Sequence, residues 1–328
     1  MNYRNLGRSG MKVSEVALGT WQVGGGWGQA FDRAKAESII ETAIEQGINF
    51  IDTADVYSEG QSEAVVGAVV KRHSEQLFVA TKCGRQLSPH VSESYTPAAL
   101  RAFVEASLRN SGLERLDLIQ LHCPPTQVYY RPEIFELFER LRDEGKIANL
   151  GVSVEKVEEA QKAIEFPNVT SVQIIFNMFR LRPRETFFAQ AAARGVGVIV
   201  RVPLASGLLT GKLSRDSTFA ADDHRAFNRD GAAFDKGETF SGVPYETALD
   251  AVDELRAALP NDVGLAQLAL RWVLDHPAVS TVIPGASRSE QVVANASASD
   301  LAPLSASAHQ AVESIYANTI GPLVHQLW

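Results

Sequence analysis

The 328-residue sequence predicts an α/β protein built on eight parallel strands. Three observations carry this expectation. Apolar runs of strand length alternate eight times with stretches of helical periodicity, and such alternation implies a parallel sheet. Three consecutive runs deliver chemically useful side chains: residues 48–51 run into Asp52, residues 77–80 into Thr81-Lys82, and residues 116–121 into His122. Tyr57 follows Asp52 five positions later. No Gly-x-Gly-x-x-Gly fingerprint follows the first strand, which argues against an open dinucleotide-binding sheet. Alternation alone does not decide whether the eight strands close into a barrel. If they do, their C-terminal ends surround one mouth, and Asp52, Tyr57, Lys82 and His122 converge there.

The elements follow in order. Residues 2–13 read as a hairpin turning at 7–10. The first barrel strand is 15–18, ending in Gly19-Thr20-Trp21. The glycine-rich loop at 24–28 lacks the terminal Gly-Lys-Ser/Thr of a phosphate cradle. Its Trp27, with Trp21, reads as a pocket wall. Residues 32–46 form a helix with Ala36, Ile39, Ile40, Ala43 and Ile44 as its apolar stripe, stopped by Gly47. Strand two (48–51) precedes a helix at 62–73, and strand three (77–80) precedes one opened by Thr96-Pro97. Strand four is 117–121. Pro124-Pro125 then breaks the chain into a loop carrying Tyr129 and Tyr130. A helix at 132–144 leads to strand five (147–152). A helix at 157–164 leads to strand six (169–175), and one at 186–194 to strand seven (196–200). A long irregular stretch covers 206–243. Its length marks it as functional or disordered, and Phe219, Phe227, Phe234 and Phe240 argue against disorder. Helices at 245–259 and 264–275 lead to strand eight (280–283). Helices at 289–297 and 305–318 follow, then a tail to Trp328, read with the tryptophans and tyrosines above as part of an aromatic-walled pocket.

The bulk numbers exclude several classes. A net charge of −8 gives no footprint for nucleic acid or an anionic membrane. No run approaches the roughly 18 apolar residues of a membrane span, and residues 1–5 lack a signal-peptide core. Two cysteines, Cys83 and Cys123, make no disulfide framework. Strand alternation points both thiols away from Lys82 and His122. The expectation is a soluble cytoplasmic protein of one domain spanning 1–328, with oligomeric state unreadable. No His/Cys/carboxylate set has the spacing of a metal site.

The residues alone suggest a chemistry. A free tyrosine has a pKa near 10, too high for efficient acid-base work near neutrality. A neighbouring ammonium, Lys82, lowers it. Asp52 holds that ammonium charged, and His122 polarises a carbonyl from the other side. A strand-end lysine also admits Schiff-base chemistry, but that needs a neutral amine, and Asp52 works against it.

The segments GINFIDTADVYSEGQSE (47–63), ATKCG (80–84), DLIQLH (117–122), GVS (151–153), VPLASGLLTGKL (202–213) and VIPGASRSEQVVANA (282–296) resemble the aldo-keto reductase superfamily, in its bacterial type related to potassium-channel β subunits. The resemblance implies a closed (β/α)8 TIM barrel with an N-terminal β-hairpin plug and a long loop after strand seven. It implies an NADP(H)-dependent oxidoreductase, with NAD(H) second, interconverting an aldehyde or ketone and an alcohol. Tyr57, Asp52, Lys82 and His122 take the catalytic roles given above. Trp21, Trp27, Tyr57, His122 and Tyr129 face the substrate. Ser153 and Gln173 match positions that hold the nicotinamide carboxamide, with Asn177 open between that role and a turn cap. Arg201 stands where relatives place an aromatic ring over the nicotinamide, and a guanidinium can stack there. Gly19, Thr20, Trp21 and Asp52 belong to the same cofactor surface. Pro203, Leu204, Ser206, Gly207, Leu208, Gly211 and Lys212 match the pyrophosphate segment. Gly285, Ser287 and Arg288 match the turn that grips the adenosine 2′-phosphate, with Gln291 and Asn295 on the adenine side. Many relatives carry a lysine at the position of Gly285, so Arg288 is left as the charged donor. The alternative is a non-catalytic, nicotinamide-sensing subunit on the same fold.

Overall fold

The computed structural model describes residues 1–25 and 30–328. Trp27 lies outside the described residues. The chain opens with an antiparallel hairpin of β1 (Tyr3–Asn5) and β2 (Lys12–Ser14), in which Tyr3 faces Ser14. Gly7 turns it with φ +51°, and any side chain there would strike the backbone of Gly195–Gly197. Leu6, Met11 and Val13 pack with Phe50, Phe78, Leu118 and Ile199 at the N-terminal end of the sheet.

Eight strands follow: β3 (Leu18–Gly19), β4 (Phe50–Asp52), β5 (Phe78–Cys83), β6 (Leu116–His122), β7 (Ile147–Ser153), β8 (Val169–Ile175), β9 (Gly197–Arg201) and β10 (Val279–Val282). Each pairs in parallel with the next. Bridges Val16–Val282 and Gly19–Gly285 join the first and last strands and close the barrel. The seam explains why β3 is shorter than the expected 15–18. Ala17 donates to Val282 O at 2.9 Å and Val282 donates to Glu15 O at 2.9 Å, so those residues pair across the seam rather than with β4.

The helices lie outside. On α1 (Arg33–Glu45) the expected stripe Ala36, Ile39, Ile40, Ala43 and Ile44 is buried, and the Asp32 side chain caps Lys35 N at 3.0 Å. Next come α2 (Gln61–Val70), α3 (Pro97–Ser111), α4 (Pro132–Asp143), α5 (Val157–Ala163) and α6 (Phe187–Ala193). Beyond β9 are α7 (His224–Phe227), α8 (Tyr245–Ala258), α9 (Leu265–Leu274), α10 (Ser289–Ala296), α11 (Ala306–Ile315) and α12 (Gly321–Val324). No helix among the described residues is long and apolar enough to cross a membrane.

The stretch 206–243 is folded onto the mouth. Asn228 Oδ1 accepts from Ala233 N at 2.9 Å and Phe234 N at 3.0 Å. Asn177 Nδ2 donates to Ser241 Oγ at 2.9 Å. Trp328 holds the segment from behind: its Nε1 donates to Asp235 Oδ1 at 2.8 Å, the Arg180 guanidinium lies 3.8 Å over its ring, and Gly242 leaves room for it. Phe234 and Glu238 are thereby presented to the barrel mouth. Trp328 itself stands behind this segment rather than on the cavity wall, which corrects the expectation for the tail.

Candidate active site

Registered pairing sets Lys82 beside Gln120, His122 beside Ser153, and Ser153 beside Gln173, all at the C-terminal end of the barrel. Lys82 Nζ donates to Asp52 Oδ1, to Thr53 O at 2.8 Å and to Tyr57 Oη at 3.4 Å, which uses its three hydrogens. Asp52 and Lys82 are almost fully buried. Tyr57 opens a tight turn in which Ser58, Glu59 and Gly60 take φ of 49°, 56° and 83°. Two consecutive non-glycine residues in the left-handed region store strain at this point. The turn swings the chain directly into α2 and leaves Tyr57 on the wall of a cavity of about 800 Å³. His122 lies edge-on to Tyr57, with ring centres 6.3 Å apart at 86°. Trp21, Phe31, Arg85, Phe234 and Glu238 complete the wall.

The electrostatics follow from burial and neighbours. Burial favours a neutral Lys82, but the Asp52 carboxylate, helped by Tyr57, outweighs it and holds the ammonium above its ordinary pKa. Burial and the nearby Arg85, Lys82 and Arg201 hold His122 well below its ordinary value, so it is a neutral imidazole. Its Nδ1 is buried with no hydrogen-bond partner among the described residues. For Tyr57 the net effect differs from the expectation. Lys82 does pull the phenol down, but burial, with Asp52 adding to it, is larger and leaves the pKa raised.

The sequence reading missed Gln120. Asp52 Oδ2 accepts from Gln120 Nε2 at 3.0 Å and from Gln173 Nε2 at 2.8 Å. Gln173, expected on the carboxamide, therefore directs its NH2 at Asp52. A signal for Gln120 was present: it sits two positions before His122 on one strand, hence on the same face.

Arg201 is also differently engaged. Its terminal N–H groups are tied into a buried ionic chain. It donates to Glu155 Oε2 at 2.8 Å and Val154 O at 3.0 Å, and pairs with Glu238 Oε2 at 3.3 Å. Glu238 in turn pairs with Arg85 at 3.2 Å. Burial, with Glu238 opposite, pushes Glu155 up to about 7. Burial raises Glu238 too, but Arg201 and Arg85 overcome it and keep it below the ordinary carboxylate range. Cys123 Sγ and carboxylate oxygens of Glu155 and Glu238 lie within 4.8 Å of one another, a spacing open to a metal. Arg201 contacts all three, so a guanidinium already supplies the positive charge there. Cys123 takes φ +47°, which breaks strand alternation and turns its thiol toward Arg201; Cys83 stays in the core.

Tyr129 corrects another expectation: it is fully buried, with its hydroxyl 3.5 Å from Ser153 O, and belongs to the core rather than the pocket. Gly19 and Thr20 are likewise buried, Thr20 Oγ1 donating to Asp52 O at 3.0 Å, so Thr20 braces the strand end. Asn177 Oδ1 accepts from Phe179 N at 2.8 Å, the turn-capping alternative. Pro203 and Leu204 lead into a turn at Ala205–Thr210, where Ala205, Ser206 and Gly207 have φ of 46°, 56° and 99°. Two of its amides are used within the turn, Ala205 N donating to Val202 O at 3.1 Å and Gly207 N to Leu204 O at 2.9 Å. Ser206 Oγ is tied to the long loop, donating to Glu238 O at 3.0 Å, and the Leu208 side chain is core. Gly211 O accepts from Arg256, and Lys212 is exposed. The neighbouring turn follows β10. Gln291 Oε1 accepts from Ser287 N at 2.8 Å, Asn295 Nδ2 reaches Gly285 O at 3.5 Å, and Arg288 is exposed at the start of α10.

A closed parallel barrel whose C-terminal mouth gathers a carboxylate, an ammonium, a phenol and an imidazole has the layout of a barrel enzyme's active site. The chain belongs to the aldo/keto reductase family, whose model matches residues 15–317. It is 31% identical over 304 residues to aldo-keto reductase YhdN of Bacillus subtilis, covering 90% of this chain and 87% of that protein. It also resembles the glycerol dehydrogenase AKR11B4 of Gluconobacter oxydans, with a TM-score of 0.78, 30% identity and coverage of 97% and 96% of the two chains. An aldo-keto reductase of Klebsiella pneumoniae solved in complex with NADPH matches with a TM-score of 0.70 and 25% identity over 96% and 95%.

Proposed function

We propose that the protein is an NADP(H)-dependent oxidoreductase that interconverts an aldehyde or ketone and an alcohol, with Tyr57 as general acid and base. The observation that carries this reading is the chain Asp52–Lys82–Tyr57, ending beside a neutral His122 on the wall of a large cavity. When Tyr57 gives its proton to a developing alkoxide, phenolate forms next to Lys82, whose charge stabilises it. The neutral His122 directs the carbonyl oxygen toward Tyr57 without competing as a strong acid. The nicotinamide, when bound, supplies the hydride. Lys82 stays protonated, which works against the Schiff-base route.

The cofactor assignment draws on the NADPH-bound relative and on two adjacent turns. The left-handed turn at Ala205–Thr210 matches the pyrophosphate segment of the family, and exposed Arg288 stands at a helix N-terminus. A broad panel of aldehydes, ketones and alcohols, followed at the nicotinamide absorbance, tests the reading. Turnover with NADPH is expected; silence with both nicotinamides across the panel counts against it. Arg288→Ala is expected to weaken NADPH by about one to two decades, the scale of one charged hydrogen-bonded contact, and to leave NADH unchanged. Fluorescence titration of both cofactors checks this. Equal binding of both by the wild type, unaltered by the substitution, would place the phosphate elsewhere.

A further inference from the structure

We infer that Gln120, acting with Gln173, is a positioning residue for the reaction proposed above. The two amides fix the second oxygen of Asp52 and, through it, the ammonium of Lys82. The inference rests on the reductase reading, because it concerns the group that serves Tyr57.

In a closed eight-stranded barrel, the interior fills in layers contributed by alternate strands, mostly with bulky apolar side chains. Here the layer at the mouth is polar. Asp52 comes from β4, Gln120 from β6 and Gln173 from β8, and all three are buried. Asp52 divides its oxygens: Oδ1 takes Lys82, while Oδ2 takes Gln120 at 3.0 Å and Gln173 at 2.8 Å. The Gln120 amide is used at both ends, since its Oε1 lies 3.2 Å from Gln173 Nε2. Its orientation is therefore set by the network. The backbone makes room for it. Gln120 pairs with Gly151 on β7, where an added Cβ would lie 3.2 Å from Gln120 Cγ and press on Ser171 Oγ.

A buried carboxylate needs both a counter-charge and enough hydrogen-bond donors for its remaining lone pairs. Lys82 supplies the charge but reaches one oxygen. Without the amides the other oxygen is short of donors, and the carboxylate gains freedom to turn about its Cβ–Cγ bond. Lys82 turns with it, and its 3.4 Å contact with Tyr57 is the contact with most to lose. Gln120 touches no reacting atom in this account; it acts through Asp52 and Lys82.

Two variants separate this role from simple packing. Gln120→Met keeps the length and removes the donor. Gln120→Glu keeps the shape and makes the donor depend on pH. Protonated, the new carboxyl donates O–H to Asp52 and accepts from Gln173; ionised, it faces Asp52 as a second negative charge. The charged and titratable groups around it are Asp52 on β4, Lys82 on β5, and Tyr57 and His122 at the mouth; Gly151 on β7 and Gln173 on β8 carry none. Gln120→Met is expected to lower kcat roughly tenfold at every pH, the scale of one hydrogen bond to a charged group, with KM for cofactor nearly unchanged. Gln120→Glu should approach wild type at the acid end of the accessible range and fall below Gln120→Met as pH rises. Thermal unfolding gives a readout independent of turnover. The new carboxyl is more easily protonated in the fold than in the unfolded chain, so Gln120→Glu should lose Tm relative to wild type as pH rises, while Gln120→Met should not. An active wild type whose two variants match it in kcat and pH profile overturns the positioning role alone. A wild type that reduces no carbonyl overturns the reductase reading and this inference together.

Discussion

Tyr57→Phe is expected to lower kcat for carbonyl reduction by about 10²–10⁴-fold, the usual contribution of a positioned general acid. The phenol stands on the cavity wall 3.4 Å from Lys82 Nζ and edge-on to His122. Its ring is kept by phenylalanine, so the wall and the cofactor surface persist. Affinity for NADPH should therefore stay near wild type, and the loss should appear in kcat rather than in KM. Stopped-flow reduction with saturating NADPH, beside a fluorescence titration of the cofactor, measures both. A variant that retains a sizeable fraction of the rate would remove Tyr57 as the acid and leave the proton to another donor in the cavity.

Lys82→Met should damage both chemistry and stability. It removes the charge that stabilises phenolate, and it leaves Asp52 buried without a counter-ion. Breaking a buried pair by deleting one partner typically costs about 3–5 kcal/mol, and both partners here are almost fully buried. Urea unfolding should show the deficit, and turnover should be lost. The pH dependence has a definite sign. The folded ammonium has a pKa above the ordinary lysine value. Its stabilising contribution is thus fully present below the unfolded pKa and is lost as pH rises through the higher folded one. Lys82→Met should lack this share of the alkaline loss, while keeping the share due to buried phenols such as Tyr57 and Tyr129, whose pKa values are also raised. Adding Asp52→Asn to Lys82→Met should recover part of the stability, because the orphaned charge is gone. A Lys82→Met protein with wild-type stability and ordinary activity would count against the electrostatic account of this site.

Particular residues show how much of this was legible in the chain. The barrel was readable because each strand is an apolar run and each helix carries its own stripe, as Ala36, Ile39, Ile40, Ala43 and Ile44 show on α1. Asp52, Lys82 and His122 were readable because they end apolar runs, and a strand end in a parallel barrel fixes a side chain's address. What local pattern does not carry is which partner a side chain finds across the barrel. Gln173 meets Asp52 from 121 residues away, and Arg201 meets Glu155 and Glu238 in a chain of charges. Glu238 lies in the irregular stretch, where no periodicity marks it. Tyr129 failed as a pocket residue for a related reason. A tyrosine in a proline-bounded loop suggests exposure, but this loop folds back as a short turn and buries it. Tyr57 was the subtlest case: its neighbours were identified, yet the net direction of its pKa turned on burial.

The clasp at Trp328 divides the molecule by how freely it can change. The polar layer around Asp52 is held inside the barrel, where each side chain fills space another must respect. The rim carrying Phe234 and Glu238 is held from behind by contacts of Trp328 with Arg180, Asp235 and Gly242, none of which lies on a barrel strand, while Glu238 is tied to the end of β9 through Arg201. Substitutions at Phe234 can reshape the cavity while the strand ends keep their places, whereas one at Glu238 would take a partner from Arg201. The arrangement gives an engineer the loop, rather than the strands, as the place to begin.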